Sequence, residues 1–407
     1  MKPLGPIPAP YAAQQGELCI AGQRAADLAA AHGTPLFVYD SQAVRARVAA
    51  LRAALPARMA LHYAVKANPF GPLVALMGGL VDGFDIASGG ELALLQAQGI
   101  DPARAGFAGP GKRDTDLSAA IAAGVTLHCE SAREVERALA LAQGLDRRPR
   151  LAIRVNPDFD LRGSGMKMGG GARPFGVDAE RAAPLARQIA QSGAEWRGFH
   201  IFAGSQALDA AAVHATQAAT LDLAVRLAGE AGVSLPALNL GGGFGIPYFP
   251  GDAPLDLAMV GAGLADLLAD CPPVLRETRL AVELGRYLVG EAGVYLTRIV
   301  ERKESRGEVF LVVDGGMHHQ LAASGNFGTV VRRNYPLALA GHMGAPVAGA
   351  ASVVGCLCTP LDRLADRAGL PDGQEGDLVA VFCAGAYGAS ASPSAFLGHG
   401  PAAEILI

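Results

Sequence analysis

What this chain of 407 residues lacks narrows its function first. No apolar run reaches the ~18 residues of a membrane-spanning helix. There is no positive excess: 34 Lys and Arg stand against 38 Asp and Glu, a net charge of -4, which argues against nucleic-acid binding. The proline- and alanine-rich start, residues 1–15, has no signal-peptide h-region, so a cytoplasmic protein is expected. The six cysteines (19, 129, 271, 356, 358 and 383) are scattered. They form no evident disulfide framework, and Cys356-Leu357-Cys358 lacks zinc-finger spacing. His318-His319 invites a metal reading, but adjacent residues on a strand point to opposite faces, so the pair reads as structural and no metal is expected. With 51% hydrophobic and 18% charged residues, a large core is possible.

From Ser41 to about Arg286 short apolar runs alternate with amphipathic ones. Strands are expected over 61–66, 82–87, 105–109, 125–130, 151–156, 196–202, 237–240 and 279–283. Helix-like segments lie between them, at 90–98, 114–123, 132–142, 179–191, 210–231 and 256–269. Strand–helix units repeated in this way predict a (β/α)8 TIM barrel, an α/β fold whose chemistry sits where strands end. After Arg286 the pattern becomes all-β, with strands expected over 289–300, 308–314, 346–355, 377–382 and 403–407. The expected domains are a barrel over 39–285 and a β domain from 1–38 and 286–407.

Lys66, Asp85, His200, Gly241 to Gly243 and Glu283 all fall at or just past expected strand ends. A lone lysine at a strand end is ordinarily a solvated charge. In a partly desolvated pocket its amine loses the proton more easily and can form a Schiff base with an aldehyde cofactor. Gly241-Gly242-Gly243-Phe244-Gly245 can present backbone N–H groups to a phosphate, with Ser205 adding a hydroxyl, although a glycine triplet is often a plain tight turn. A carboxylate such as Glu283, facing a pyridine nitrogen, keeps that nitrogen protonated and the ring an electron sink. Arg286, after Gly285, can grip a phosphate or carboxylate in bidentate fashion. His200 closes an apolar strand, where a satisfied core residue is common; its functional role would be a flat ring stacked on the cofactor. Cys358, before Thr359-Pro360, sits in a loop where a thiol can act as a general acid.

The ordered motifs Tyr63-Ala64-Val65-Lys66-Ala67-Asn68, Phe84-Asp85-Ile86-Ala87-Ser88, Phe199-His200 with Gly204-Ser205-Gln206, Gly241-Gly242-Gly243, Glu283-x-Gly285-Arg286, Cys358 with Asp362, and Ala384-Gly385-Ala386-Tyr387 resemble the fold-type III pyridoxal phosphate (PLP) decarboxylases, the diaminopimelate and ornithine decarboxylase family. The stretch 163–171, with 391–397, is similar to the subgroup associated with exosortase A and exopolysaccharide loci. The resemblance implies PLP on Lys66, His200 stacked on its ring and Glu283 at the pyridine nitrogen. It implies that Ser205, Gly241 to Gly243, Arg286 and Tyr387 hold the phosphate and substrate side. It also implies a homodimer in which Cys358 and Asp362 of one subunit reach the cofactor of the other.

Four departures matter. Leu284 replaces a proline, and the usual His-Ile-Gly-Ser-Gln is expanded across His200 to Gln206. The carboxylate that directly follows the reactive cysteine in the family, and reads the substrate's distal amine, is Thr359 here. An Arg-Pro-x-x-Tyr segment is altered to Arg332-Arg333-Asn334-Tyr335. The implied activity is α-decarboxylation of a modified, conjugated or carrier-tethered amino acid. The alternatives are diaminopimelate decarboxylase proper, an alanine-racemase-like enzyme (which would set an arginine where Glu283 stands) and a non-catalytic PLP-binding paralogue.

Overall fold

The computed structural model describes residues 1–161, 163, 165–325 and 333–407, with the backbone alone at Lys167. Ser164 and Arg332 lie outside the described residues. The chain divides into two compact units, one of residues 48–245 and 254–285, the other of 1–47, 246–253 and 286–407. The first thus begins at 48 rather than 39 and gives up the short excursion 246–253 to the second.

The first unit is the expected barrel. Its strands are β1 (Met59–Ala64), β2 (Gly83–Ile86), β3 (Ala105–Phe107), β4 (Thr126–Cys129), β5 (Arg150–Asn156), β6 (Glu195–Ile201), β7 (Ala237–Gly242) and β8 (Arg279–Leu284). All pairings around the ring are parallel, and β8 against β1 (Leu280 opposite Met59) closes it. Strands of this kind are covered on both faces, which is why they read as near-continuous apolar runs. In β5 every residue from Leu151 to Asn156 is buried. Polar residues at helix starts punctuate the runs: Ser88 Oγ accepts from Glu91 N at 3.1 Å, and Ser131 Oγ from Glu134 N at 3.1 Å.

The second unit is built mostly of sheet. Its strands are β9 (Gly293–Ser305), β10 (Glu308–Val313), β11 (Leu337–Leu339), β12 (Gly349–Val354), β13 (Arg363–Leu370), β14 (Leu378–Val381) and β15 (Ala403–Leu406). The sheet order is β11-β14-β9-β10-β12-β13. The early strand Leu36–Tyr39 joins it, pairing with β9 and β15, so the N-terminal segment belongs to this unit. Leu18, Ile20, Leu36, Val38, Val294, Leu296 and Phe382 form its core. No helix among the described residues is long and apolar enough to cross a membrane.

One premise of the sequence reading fails. His318 and His319 are not on a strand: β10 ends at Val313 and the chain turns over 317–319. Their ring centroids therefore lie 3.8 Å apart, on one side of the chain.

Candidate active site

At the C-terminal ends of the barrel strands, β1 passes into a tight 3-10 turn, Val65–Ala67. Val65 and Ala67 are buried on either side and Lys66 is exposed between them. Tyr63 Oη donates to Asn68 O at 2.8 Å and Phe70 N to Asn68 Oδ1 at 3.0 Å, which fixes the turn. Gly285 packs on its other side, where a Cβ would come within 2.6 Å of Ala67 Cβ. The Lys66 ammonium stands 5.6 Å from the centre of the Phe202 ring.

Deeper in the mouth, strands far apart in sequence bring six polar side chains together. His200 Nε2 lies 2.9 Å from Glu283 Oε2, a charge contact out of line for a hydrogen bond. His200 Nδ1 sits 3.0 Å from His128 Nδ1, so one ring donates and the other accepts. Asn239 Nδ2 donates to Glu283 Oε2 at 3.1 Å and to Asp85 Oδ1 at 3.4 Å. Asn239 Oδ1 accepts from Gly241 N at 2.9 Å, tying this cluster to the glycine loop. Asp85 Oδ2 in turn meets His62 Nδ1 at 3.2 Å.

The electrostatics separate the two carboxyls. Burial alone would raise Glu283, but the charges of His200, Lys66 and Arg154 outweigh it and hold the group well below the usual carboxylate range. Asp85 is pushed up, first by burial and then by the Glu283 charge, against the pull of His62. Burial and then His200 drive His128 well below the usual histidine range, keeping it neutral. Glu283 is therefore the ionised member of the pair. Environments that push two carboxyls apart assign them different tasks.

Sequence reasoning missed His128, Asn239 and a second ionic pair. Arg154 Nη1 meets Glu130 Oε1 at 2.9 Å, both nearly buried, while Gly176 N donates to Glu130 Oε2 at 2.9 Å. A signal existed in each case: a polar residue interrupting an apolar strand, as in Leu127-His128-Cys129 and Ile153-Arg154-Val155. Such a residue needs a buried partner.

The glycine triplet forms a cradle. Gly241 and Gly243 have φ of +68° and +75°. A Cβ at Gly243 would lie 2.1 Å from Gly204 O, and one at Gly241 2.6 Å from Ile201 O. Only glycine allows so close an approach. The loop bearing Ser205 is bound to this one, since Ala207 N donates to Gly243 O at 2.9 Å and Gly245 N to Ala207 O at 2.8 Å. Gly204–Ser205 also pairs with Met166–Lys167 as a two-stranded ribbon, which accounts for the expanded His200 to Gln206 segment. A concave backbone, an ionised buried carboxylate, a buried imidazole and an exposed amine fit the phosphate, pyridine, ring and aldehyde of PLP.

In the second unit, Arg286 donates from Nη1 to Tyr248 Oη at 2.9 Å, and its guanidinium lies 4.7 Å from the Tyr387 ring centre. The loop after β12 carries the remaining expected residues. Cys358 is exposed. Thr359 Oγ1 accepts from Leu361 N at 3.3 Å, so its hydroxyl stabilises the turn. Asp362 is buried and accepts from Met317 N at 2.6 Å and Leu357 N at 2.9 Å. It holds the loop that carries Cys358, and its oxygens are turned inward.

Comparison with known proteins matches this arrangement to a family. Residues 41–290 match the family described as pyridoxal-dependent decarboxylase, pyridoxal binding domain. The chain is 35% identical over 379 residues to the L-glutamyl-(BtrI acyl-carrier protein) decarboxylase of Niallia circulans, covering 92% of this chain and 88% of that one. It is 34% identical over 405 residues to the diaminopimelate decarboxylase of Aquifex aeolicus, covering 97% and 91%. Among solved structures, diaminopimelate decarboxylase from Helicobacter pylori, complexed with L-lysine, superposes with a TM-score of 0.83 at 26% identity, covering 94% of this chain and 93% of that one. The chain belongs to the pyridoxal-dependent decarboxylases of the diaminopimelate and ornithine type. It is a carboxy-lyase whose cofactor is pyridoxal 5'-phosphate.

Proposed function

We propose that this enzyme decarboxylates an amino acid whose distal end carries no free ammonium, because it is modified, conjugated or tethered to a carrier protein. One observation carries this reading. The residue after Cys358 is Thr359, with no charge to pair an ammonium and a hydroxyl already engaged in its own turn. The likeness to a carrier-protein decarboxylase over 92% of the chain supports it. The likeness to diaminopimelate decarboxylases supports the second reading, free diaminopimelate.

In the proposed site Lys66 would bear the cofactor through Nζ, His200 would pack against its ring and ionised Glu283 would pair with the pyridine nitrogen, with Asp85 beside it. Gly241 to Gly243, Ser205 and Gly285 shape the phosphate side; Arg286 and Tyr387 hold phosphate and substrate. When bound, the pyridoxal ring supplies an electron sink for the pair left by the departing α-carboxylate. Cys358, offered by a second copy of the chain in a homodimer with shared sites, returns a proton from Sγ to the substrate Cα. Thr359 and Asp362 shape the same loop.

Two measurements test this. Borohydride reduction of the purified yellow protein should attach the cofactor to Lys66; mass mapping of the adduct to another lysine would overturn the assignment. Carbon dioxide should be released from an aminoacyl group loaded on a carrier protein or from a distally acylated amino acid. If neither releases it with Lys66 loaded, the proposed substrate class is wrong.

A further inference from the structure

A cluster of potential metal ligands lies in the second unit. His318 is fully buried at 0% exposure, yet neither ring nitrogen has a hydrogen-bond partner among the described residues. A buried polar group left unmade costs about 1–3 kcal/mol, so such a ring calls for an explanation. Two further donors stand beside it. Cys356, just after β12, has its Sγ 3.8 Å from His399 Nε2 and 3.9 Å from His399 Nδ1. The His318 and His399 ring centroids are 5.0 Å apart. One ligand atom from each of His318, Cys356 and His399 lies within 4.8 Å of the others.

We propose that His318, Cys356 and His399 bind a zinc ion, with the fourth position open to water. Two imidazoles and a thiolate form a borderline-soft donor set that suits zinc and disfavours magnesium or calcium. Tetrahedral bonds of about 2.0 Å to nitrogen and 2.3 Å to sulfur place ligand atoms roughly 3.3–3.6 Å apart. The cluster is therefore within about 1.5 Å of closure. The adjustment falls on His399, which is exposed and flanked by Gly398 and Gly400 with φ of +77° and +79°. His319 steadies that loop through Nε2, 3.0 Å from Gly400 O. The Cys356 thiol releases its proton to solvent as the zinc–sulfur bond forms. Bound zinc would tie the His399 loop to the turn that leads into Cys358.

The test uses the untagged, full-length holoenzyme, stripped with a chelator and titrated with zinc chloride by calorimetry. One zinc per chain is expected, and cobalt(II) in its place should give visible d–d bands of a tetrahedral site, to the red of the cofactor's absorption. Cys356→Ser and His399→Ala should each weaken zinc binding at least tenfold, while Cys358→Ser retains it. His399 is exposed, so its replacement leaves the fold intact and the comparison clean. No zinc bound at micromolar concentrations, or binding that survives both the Cys356 and His399 replacements, would overturn the site.

Discussion

Replacing Glu283 with glutamine should leave a folded, cofactor-binding protein whose kcat is lower by on the order of 10²–10³, the usual effect of removing one preorganised electrostatic group. The substitution keeps shape and one hydrogen-bonding oxygen but removes the charge. In the structure that charge is sustained against burial by His200, Lys66 and Arg154. Nothing else in the cluster can replace it, because Asp85 is pushed toward its neutral form. Stability gives an independent readout. A carboxyl whose folded pKa is depressed contributes stability that is fully present above the ordinary carboxylate value of about 4.3 and is lost as pH falls through the folded value. Glu283→Gln should therefore melt below the parent at pH 7, and the gap should narrow as the pH is lowered below about 4. Steady-state kinetics at saturating cofactor and melting curves across pH check both halves. A kcat within threefold of the parent would remove Glu283 from the chemistry.

The barrel was legible in the sequence because its strands, sealed on both faces, are largely apolar, and several of its charged residues fall near strand ends. Lys66 and Glu283 stand out for that reason: each interrupts an apolar pattern near a strand terminus. The second unit was less legible where its strands depart from this rule. β13, Arg363–Leu370, was not expected because two arginines, an aspartate and a glycine break its alternation. Asp366 is nevertheless buried, paired with Lys2 at 2.5 Å and with Arg363. A partner 364 residues away leaves no local trace. β11 is only three residues long and carries no pattern at all. In the active site, Asn239 and His128 were hidden for a related reason. Each sits within a buried strand and takes its meaning from a side chain on another: Asn239 from Asp85 and Glu283, His128 from His200. Periodicity shows which face a residue occupies and is silent about what waits there. The adjacent histidines 318 and 319 show the converse error, since a period-two argument was applied to a turn.

Substrate choice should follow Thr359. A carboxylate at this position would meet the distal ammonium of diaminopimelate, lysine or ornithine. Losing one charge-assisted hydrogen bond costs roughly 1.5–3 kcal/mol, or about one to two orders of magnitude in specificity. An ammonium left unpaired in a partly buried pocket costs more. The threonine supplies no negative charge to compensate, and its hydroxyl already accepts from Leu361 N at 3.3 Å as part of the turn. Free diaminopimelate, lysine and ornithine should therefore show kcat/KM values roughly 10²-fold below that of a substrate with a neutral, acylated or carrier-bound distal end. Thr359→Glu should raise kcat/KM for diaminopimelate about tenfold or more and lower it for the tethered substrate, because a carboxylate left without a partner in a partly buried pocket is itself costly. The decisive measurement is kcat/KM for diaminopimelate with the unmodified enzyme. A value on the order of 10⁴ M⁻¹s⁻¹ or above, typical of an efficient enzyme, would mean that another residue reads the distal amine and that Thr359 does not set the substrate class.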